Sequence, residues 1–228
     1  GSSVFEGIRA YDTKQGTAIF RLAPHVQRMV NSCKIVRIAV PYTADELSQA
    51  IQEVVALNGQ PACYIRPLIF RGMGSFDLDG RPNPTQVVIL SFAWGPYLGA
   101  GAIENGIEAM VSSWRRLSPS DGAPMGKIGG QYVNNSFARM EAKDNGYGEA
   151  LELDLNGNMS EGSGENLFVV LDGVIYTPPI GTSILAGVTR SSVIQLARDL
   201  GYEVRETVMS RDVLYIADEM FVTGTAAE

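Results

Sequence analysis

One histidine, two cysteines and four lysines in 228 residues leave few side chains for most kinds of catalysis. A single imidazole and two separated thiols cannot supply the usual ligand set of a zinc site, so no metal is expected. No G-x-S-x-G occurs, and His25 stands at the start of a helix, which argues against a Ser-His-Asp hydrolase. No G-x-G-x-x-G occurs either, and the apolar runs 87–90 and 167–171 are strand-length, far too short to span a bilayer. Residues 1–15 hold no charged-then-apolar leader, so no signal peptide is expected. A net charge of −7 argues against a nucleic-acid surface. Cys33 and Cys63, in apolar settings, read as buried free thiols of a reducing compartment, which points to the cytoplasm.

What is present alternates between strand and helix patterns, an α/β (α+β) architecture without internal repeats. Residues 17–21 read as a short strand. Pro24 then opens a helix at its N1 position, and Val26, Met29, Val30 and Cys33 form one apolar face. A second helix starts at Thr43 with Glu46 completing a capping box; its stripe is Leu47, Ala50, Ile51 and Val54, and Gly59 ends it. Residues 62–71 and 85–93 are strands separated by a Gly/Pro/Asp-rich loop. The turn-rich stretch 94–102 reads as a linker between a small domain, 1–93, and a larger one, 103–228. The second half reads as a strand at 107–114, a helix at 131–143 and a strand at 150–154. A hairpin at 167–171 and 174–176, a helix at 189–200 and a strand at 203–208 follow. A short helix near 211–217 and a strand at 219–222 complete it. Gly1 falls inside a structured motif and Glu228 where a helix should begin, so both ends read as trimmed.

Three places invite chemistry. Lys127 lies in Pro124-Met-Gly-Lys-Ile-Gly-Gly130, which is not a Walker A loop: the Gly122-to-Gly126 spacing is one residue short and Ile128 replaces the Mg²⁺-binding hydroxyl. With glycine and isoleucine beside it and no acid within five positions, this lysine is expected to be desolvated, which lowers its pKa and frees a nucleophilic amine. A solvated loop lysine is the plainer reading. Gly187-Val-Thr-Arg190 and Gly224-Thr-Ala226 each open a helical pattern whose amides could face an anion, although Gly-Thr there is usually only a cap. Arg28 could add charge, but by itself reads as a surface arginine. Glu161 and Glu165 sit in a Ser/Gly stretch that reads as a loop, with both acids facing solvent.

Taken together, the residues carry a resemblance. SVFEGIRAY (3–11), FRLAPHVQRM (20–29), YIRPLIF (64–70), WGPYLG (94–99), GKIGGQYVNN (126–135), LDLNGNMSEGSGENLF (153–168), GVTR (187–190) and TGTAAE (223–228) occur in an order that resembles the class IV aminotransferases. The branched-chain aminotransferases are the most similar. The resemblance implies fold type IV, with a small N-terminal α/β domain and a larger pseudo-barrel domain. It implies pyridoxal 5′-phosphate as cofactor, and a homodimer or higher homo-oligomer acting on amino acids and 2-oxo acids. It matches Lys127 to the catalytic lysine that holds the cofactor and shuttles a proton. Glu161 matches the partner of the pyridine nitrogen and Tyr132 the partner of the phenolic oxygen. Arg28, Val188, Thr189 and Thr225 match the phosphate cup. Thr225 and Ala226 match the turn that receives the α-carboxylate. Phe5, Gly7, Tyr64, Trp94, Tyr97 and Gly164 match the side-chain pocket, and Arg66 the partner of glutamate's distal carboxylate. The implied reaction moves an amino group from leucine, isoleucine or valine to 2-oxoglutarate. Other class IV activities, such as D-amino-acid aminotransferase, amine transaminase or aminodeoxychorismate lyase, are the alternative.

Overall fold

The computed structural model describes residues 1–95, 97–99 and 101–227. The chain divides into two compact units, Gly1–Gly95 with Gly126–Gly130, and Pro96–Met125 with Gln131–Glu228. The expected linker 94–102 includes Pro96 and Ala100, and the 223–228 motif ends at Glu228; these three lie outside the described residues.

The first unit is an antiparallel sheet with two helices. Its strands are β1 (Ser3–Phe5), β2 (Ile8–Thr13), β3 (Gly16–Ile19), β4 (Cys63–Arg71) and β5 (Thr85–Phe92); its helices are α1 (Leu22–Ile35) and α2 (Ala44–Asn58). β5 pairs along the whole of one edge of β4. On the other edge β1 and β2 lie end to end, with Phe5 opposite Leu68 and Ile8 opposite Ile65. The break falls at Glu6-Gly7. A strand residue points its N–H and C=O to the same edge. Pro67 accepts from the Glu6 amide at 3.0 Å, so its missing N–H faces this same edge and the ladder loses a rung there. β1 and β2 were not expected from the sequence. Residues 3–13 mix Arg9, Glu6 and Gly7 into the apolar pattern, and those polar positions are buried rather than turned to water.

α1 starts at Leu22, two residues before the expected Pro24, and β3 ends at Ile19 rather than residue 21. Arg21 makes the corner with a left-handed backbone, φ 52°. Proline costs nothing extra at the third helical position, two residues further in, because the amides of the whole first helical turn lack intrahelical acceptors. α2 carries the expected capping box: Thr43 Oγ1 accepts from the Glu46 amide at 3.2 Å and the Thr43 amide donates to Glu46 Oε2 at 2.7 Å. Leu47, Ile51 and Val55 are its buried stripe, and Gly59 closes it at φ 60°. A Thr43→Ala variant is expected to lose about 1 kcal/mol of stability. Chemical denaturation would show it, and an unchanged midpoint would mean that tertiary packing alone holds this end of α2.

The second unit holds α3 (Ala102–Asn105), β6 (Ala109–Arg115), α4 (Tyr132–Asp144), β7 (Glu149–Leu153), β8 (Met159–Gly162) and β9 (Asn166–Leu171). β10 (Val174–Thr177), α5 (Val188–Asp199), β11 (Val204–Glu206) and β12 (Glu219–Thr223) complete it. The sheet order is β11-β10-β9-β8-β7-β6, with β12 also on β9. β6 and β7 are parallel, joined through α4, whose small residues Ala138 and Ala142 pack on Ala150 and Met110. β9 and β10 form the expected hairpin, with Asp172 and Gly173 at φ 51° and 75° as a two-residue turn needs. Residues 211–215 form a 3-10 turn rather than the expected short helix, and β11 is only three residues long. No described helix is long and apolar enough to cross a membrane.

β8 is the main departure. The Ser/Gly-rich composition around Glu161 predicts a solvent-facing loop, yet residues 159–162 are a strand buried at every position. A strand covered on both faces shows no polar alternation, so the pattern that identifies half-exposed strands is missing.

Candidate active site

In the first unit, the ring of Phe5 carries two cations. The Lys127 Nζ lies 4.8 Å from the ring centroid and the Arg66 guanidinium carbon 4.7 Å from it. Lys127 is held through its backbone: its amide donates to Ser32 Oγ at 3.0 Å, and its carbonyl accepts from the Phe5 amide at 3.1 Å. Arg66 Nη2 donates to Tyr64 Oη at 2.6 Å, while Arg66 Nε is buried without a hydrogen-bond partner among the described residues. Tyr64 meets Trp94 edge-to-face at 4.5 Å between centroids. Gly7 makes this cluster possible, since a Cβ there would stand 2.2 Å from the Tyr64 hydroxyl. Phe5, Gly7, Tyr64, Arg66, Trp94 and Lys127 are therefore neighbours, although they come from distant stretches of chain.

Beside them is a buried polar group that sequence reasoning did not find. The Glu6 side chain, fully buried at the β1–β2 break, accepts from Arg28 Nε at 2.7 Å and Arg28 Nη2 at 2.8 Å, and faces His25 Nδ1 at 2.8 Å. Burial by itself pushes the Glu6 carboxyl up. The Arg28 charge and the hydrogen bonds from His25 and Arg28 outweigh it and hold the group at about 2. The expectation of a solvated Arg28 fails: only 13% of its side chain is exposed.

In the second unit, Glu161 lies at the centre of a network. Its Oε1 pairs with Arg116 Nη2 at 2.7 Å; its Oε2 accepts from Asn166 Nδ2 at 2.8 Å and from the Leu185 amide at 3.0 Å. Arg116 is buried as well, and donates to Asn135 Oδ1 at 2.7 Å. Burial opposes the Arg116 charge, but Glu161, Glu152 and the Tyr132 phenol favour it and push the group up. Tyr132 is the first residue of α4. Glu152, completely buried 3.6 Å from Arg116, is pushed up to about 7: burial raises it, Arg116 lowers it and Glu161 raises it again. An acid whose folded pKa lies above its unfolded value loses stability as pH rises between the two. A Glu152→Gln variant is thus expected to gain stability relative to wild type from pH 4.5 to 7, with a plateau above. Thermal midpoints at pH 5 and pH 8 measure this, and a pH-independent difference would refute it.

Two further groupings belong to this unit. Thr189 in the first turn of α5 and Thr225 after β12 bring their hydroxyls within 3.4 Å of one another. Val188 begins that helix, and no side chain among the described residues caps it. Arg190 of the same motif turns inward instead, donating to the Pro178 carbonyl and Glu206 at 2.9 Å each. Tyr97 stacks under Arg139, whose guanidinium carbon is 4.6 Å from the ring and which pairs with buried Glu149. A Cβ on Gly164 would lie 3.9 Å from the Tyr97 hydroxyl, so these two expected pocket residues are neighbours. Ala226 continues the turn begun by Thr225.

The family model described as amino-transferase class IV matches residues 3–228. This chain is a class IV aminotransferase. The branched-chain-amino-acid aminotransferase of Escherichia coli strain K12 is 50% identical over 233 aligned residues, covering all of this chain and 74% of that protein. The Salmonella typhimurium protein of the same name is 49% identical with the same coverage. Among solved structures, the E. coli branched-chain amino acid aminotransferase superposes with a TM-score of 0.95 at 50% identity, covering all of this chain and 75% of that one. The Thermobaculum terrenum enzyme of the same name, in its PLP form, gives 0.92 at 38%, covering 99% of this chain and 74% of that one.

The residues of this class IV aminotransferase suit the cofactor its family uses. A helix N-terminus without a side-chain cap, flanked by two hydroxyls, is donor chemistry for a phosphate. A buried carboxylate held by three donors is a fit acceptor for a protonated ring nitrogen. Glu6, His25, Arg116, Glu152, Asn135 and Asn166 were missed from the sequence. The one available signal was Glu152, an acid within a strand pattern; in a strand with neighbours on both sides such an acid must be buried and paired.

Proposed function

We propose that this chain catalyses reversible transfer of the amino group from L-leucine, L-isoleucine or L-valine to 2-oxoglutarate, with pyridoxal 5′-phosphate as cofactor. The observation that carries the reading is the shared Phe5 ring, which sets an amine, Lys127, and a carboxylate receptor, Arg66, against one apolar wall. When bound, the cofactor supplies an electron sink for the pair left at the substrate Cα.

The chain's own groups do the rest. Lys127 Nζ holds the cofactor and carries the proton taken from the substrate Cα. Glu161, kept in place by Arg116, Asn166 and the Leu185 amide, holds the proton on the pyridine nitrogen. Tyr132 takes the phenolic oxygen. Val188, Thr189, Thr225 and Arg28 hold the phosphate, and Thr225 and Ala226 receive the α-carboxylate. Phe5, Gly7, Tyr64, Trp94, Tyr97 and Gly164 form the side-chain wall for the aliphatic substrates. Arg66, its guanidinium carbon 4.7 Å from the Phe5 ring centroid and 5.1 Å from that of Tyr64, offers its buried Nε edge to glutamate's distal carboxylate. One pocket can then accept an apolar and an acidic side chain in alternation.

The test is turnover of L-leucine against D-alanine and a primary amine, with 2-oxoglutarate as acceptor. Leucine-dependent glutamate formation and a leucine-induced change in the visible absorption of bound cofactor are expected. Turnover of D-alanine or the amine in its place would move the chain to another class IV activity. We also assign the chain to the cytoplasm and to a homodimer or higher homo-oligomer. The buried free thiols Cys33 and Cys63 support the first. The fully exposed apolar side chains Met73, Phe76 and Leu78 support the second.

A further inference from the structure

α1 presents a polar stripe as well as an apolar one. His25, Arg28 and Ser32 recur at helical spacing, and each is committed to a partner rather than to water. His25 and Arg28 grip Glu6. Ser32 Oγ donates to the Arg28 carbonyl at 2.9 Å and accepts the Lys127 amide at 3.0 Å. The residue before Glu6, Phe5, holds the Lys127 carbonyl. One strand break and one helix face therefore tie Arg28 and Lys127 into a single frame.

Fully burying a carboxylate to pair an arginine is rarely a route to stability, since apolar residues of similar volume do as well or better. Orientation is what the pairing uniquely supplies. Glu6 occupies Nε and Nη2 of Arg28 as a fork, which fixes the guanidinium plane and the direction of its Nη1 edge. His25 in turn fixes Glu6: a carboxylate only accepts, so Nδ1 carries the proton between them.

We propose that Glu6, clamped by His25, is a positioning residue that aims Arg28 and so sets the affinity for the cofactor's phosphate. This rests on the assignment of Arg28 to the phosphate. The test titrates the apoprotein with pyridoxal phosphate and with phosphate-free pyridoxal, for wild type, Glu6→Gln, Arg28→Ala and the double variant. Glu6→Gln is expected to weaken pyridoxal phosphate about tenfold, the worth of a hydrogen bond to a charged group, and to leave pyridoxal unchanged. In the Arg28→Ala background it is expected to add nothing. As the only histidine, His25 reports the clamp directly, and its ring ¹⁵N signals should move in Glu6→Gln.

If Arg28→Ala spares the preference for the phosphate, the assignment of Arg28 fails and the inference with it. If Arg28→Ala loses that preference while Glu6→Gln keeps it, only the inference fails. Additive losses would also overturn it. Should Glu6→Gln not fold, Arg28→Lys carries the test, because lysine keeps the charge but cannot lie in the fork. A phosphate-specific loss of similar size is expected, and full affinity would overturn the proposal.

Discussion

Lys127→Ala is expected to lower leucine-dependent glutamate formation by at least about 10³-fold while leaving the thermal midpoint nearly unchanged. The asymmetry follows from how the residue is held. Its amide and carbonyl bind Ser32 and the Phe5 amide, and Ile128 beside it pairs with Val4, all of which alanine preserves. Only the side chain changes, and its contact with the Phe5 ring is a small part of what holds this unit together. The amine proposed to hold the cofactor and move the Cα proton is gone, and no other lysine shares this cluster: Lys14, Lys34 and Lys143 lie on β2–β3, α1 and α4. Initial rates with L-leucine and 2-oxoglutarate, together with the visible absorption of added cofactor, measure the effect. A variant with wild-type rates would remove Lys127 from the chemistry and the proposed reaction with it.

Arg116→Met is expected to be the most destabilising single change in the second unit, by about 3–5 kcal/mol. Methionine fills much of the volume but leaves Glu161 and Glu152 buried together without their cation. Asn135 loses the donor to its Oδ1 at the same time. The midpoint should fall by roughly 10 °C, as measured by calorimetry near pH 8. The loss should shrink toward pH 5, where Glu152, pushed up to about 7 even with Arg116 present, takes up a proton and relieves the repulsion. Arg116→Met with Glu152→Gln should recover part of the loss at pH 8 for the same reason. A variant that melts like wild type at both pH values would show that Arg116 does not neutralise this pair.

The helices were the most legible elements. α2 announces itself through Thr43, Glu46 and Gly59, three residues whose backbone chemistry acts within one turn of their own position. The β9–β10 hairpin was readable for the same reason, because Asp172-Gly173 tolerates the positive φ a tight turn demands. β8 was not, since its Ser and Gly residues describe a loop unless strands are known to cover both faces. β1 and β2 were hidden likewise by polar residues with distant partners, Glu6 on α1 and Arg9 on the Trp94 and Gly95 carbonyls.

The site divides along the same line. Lys127, Glu161, Thr189 and Thr225 stood out in the sequence because each lies in a compact run of small residues that local chemistry or family resemblance can single out. The sequence by itself determined the four longer helices, the β9–β10 hairpin and the family, all carried by short-range geometry or residue order. Only the tertiary structure decided that Glu6 would hold Arg28 across 22 positions and Arg116 would hold Glu161 across 45. A buried charge must find an opposite charge somewhere, but burial and partner are properties of the packed chain, and no local pattern encodes them.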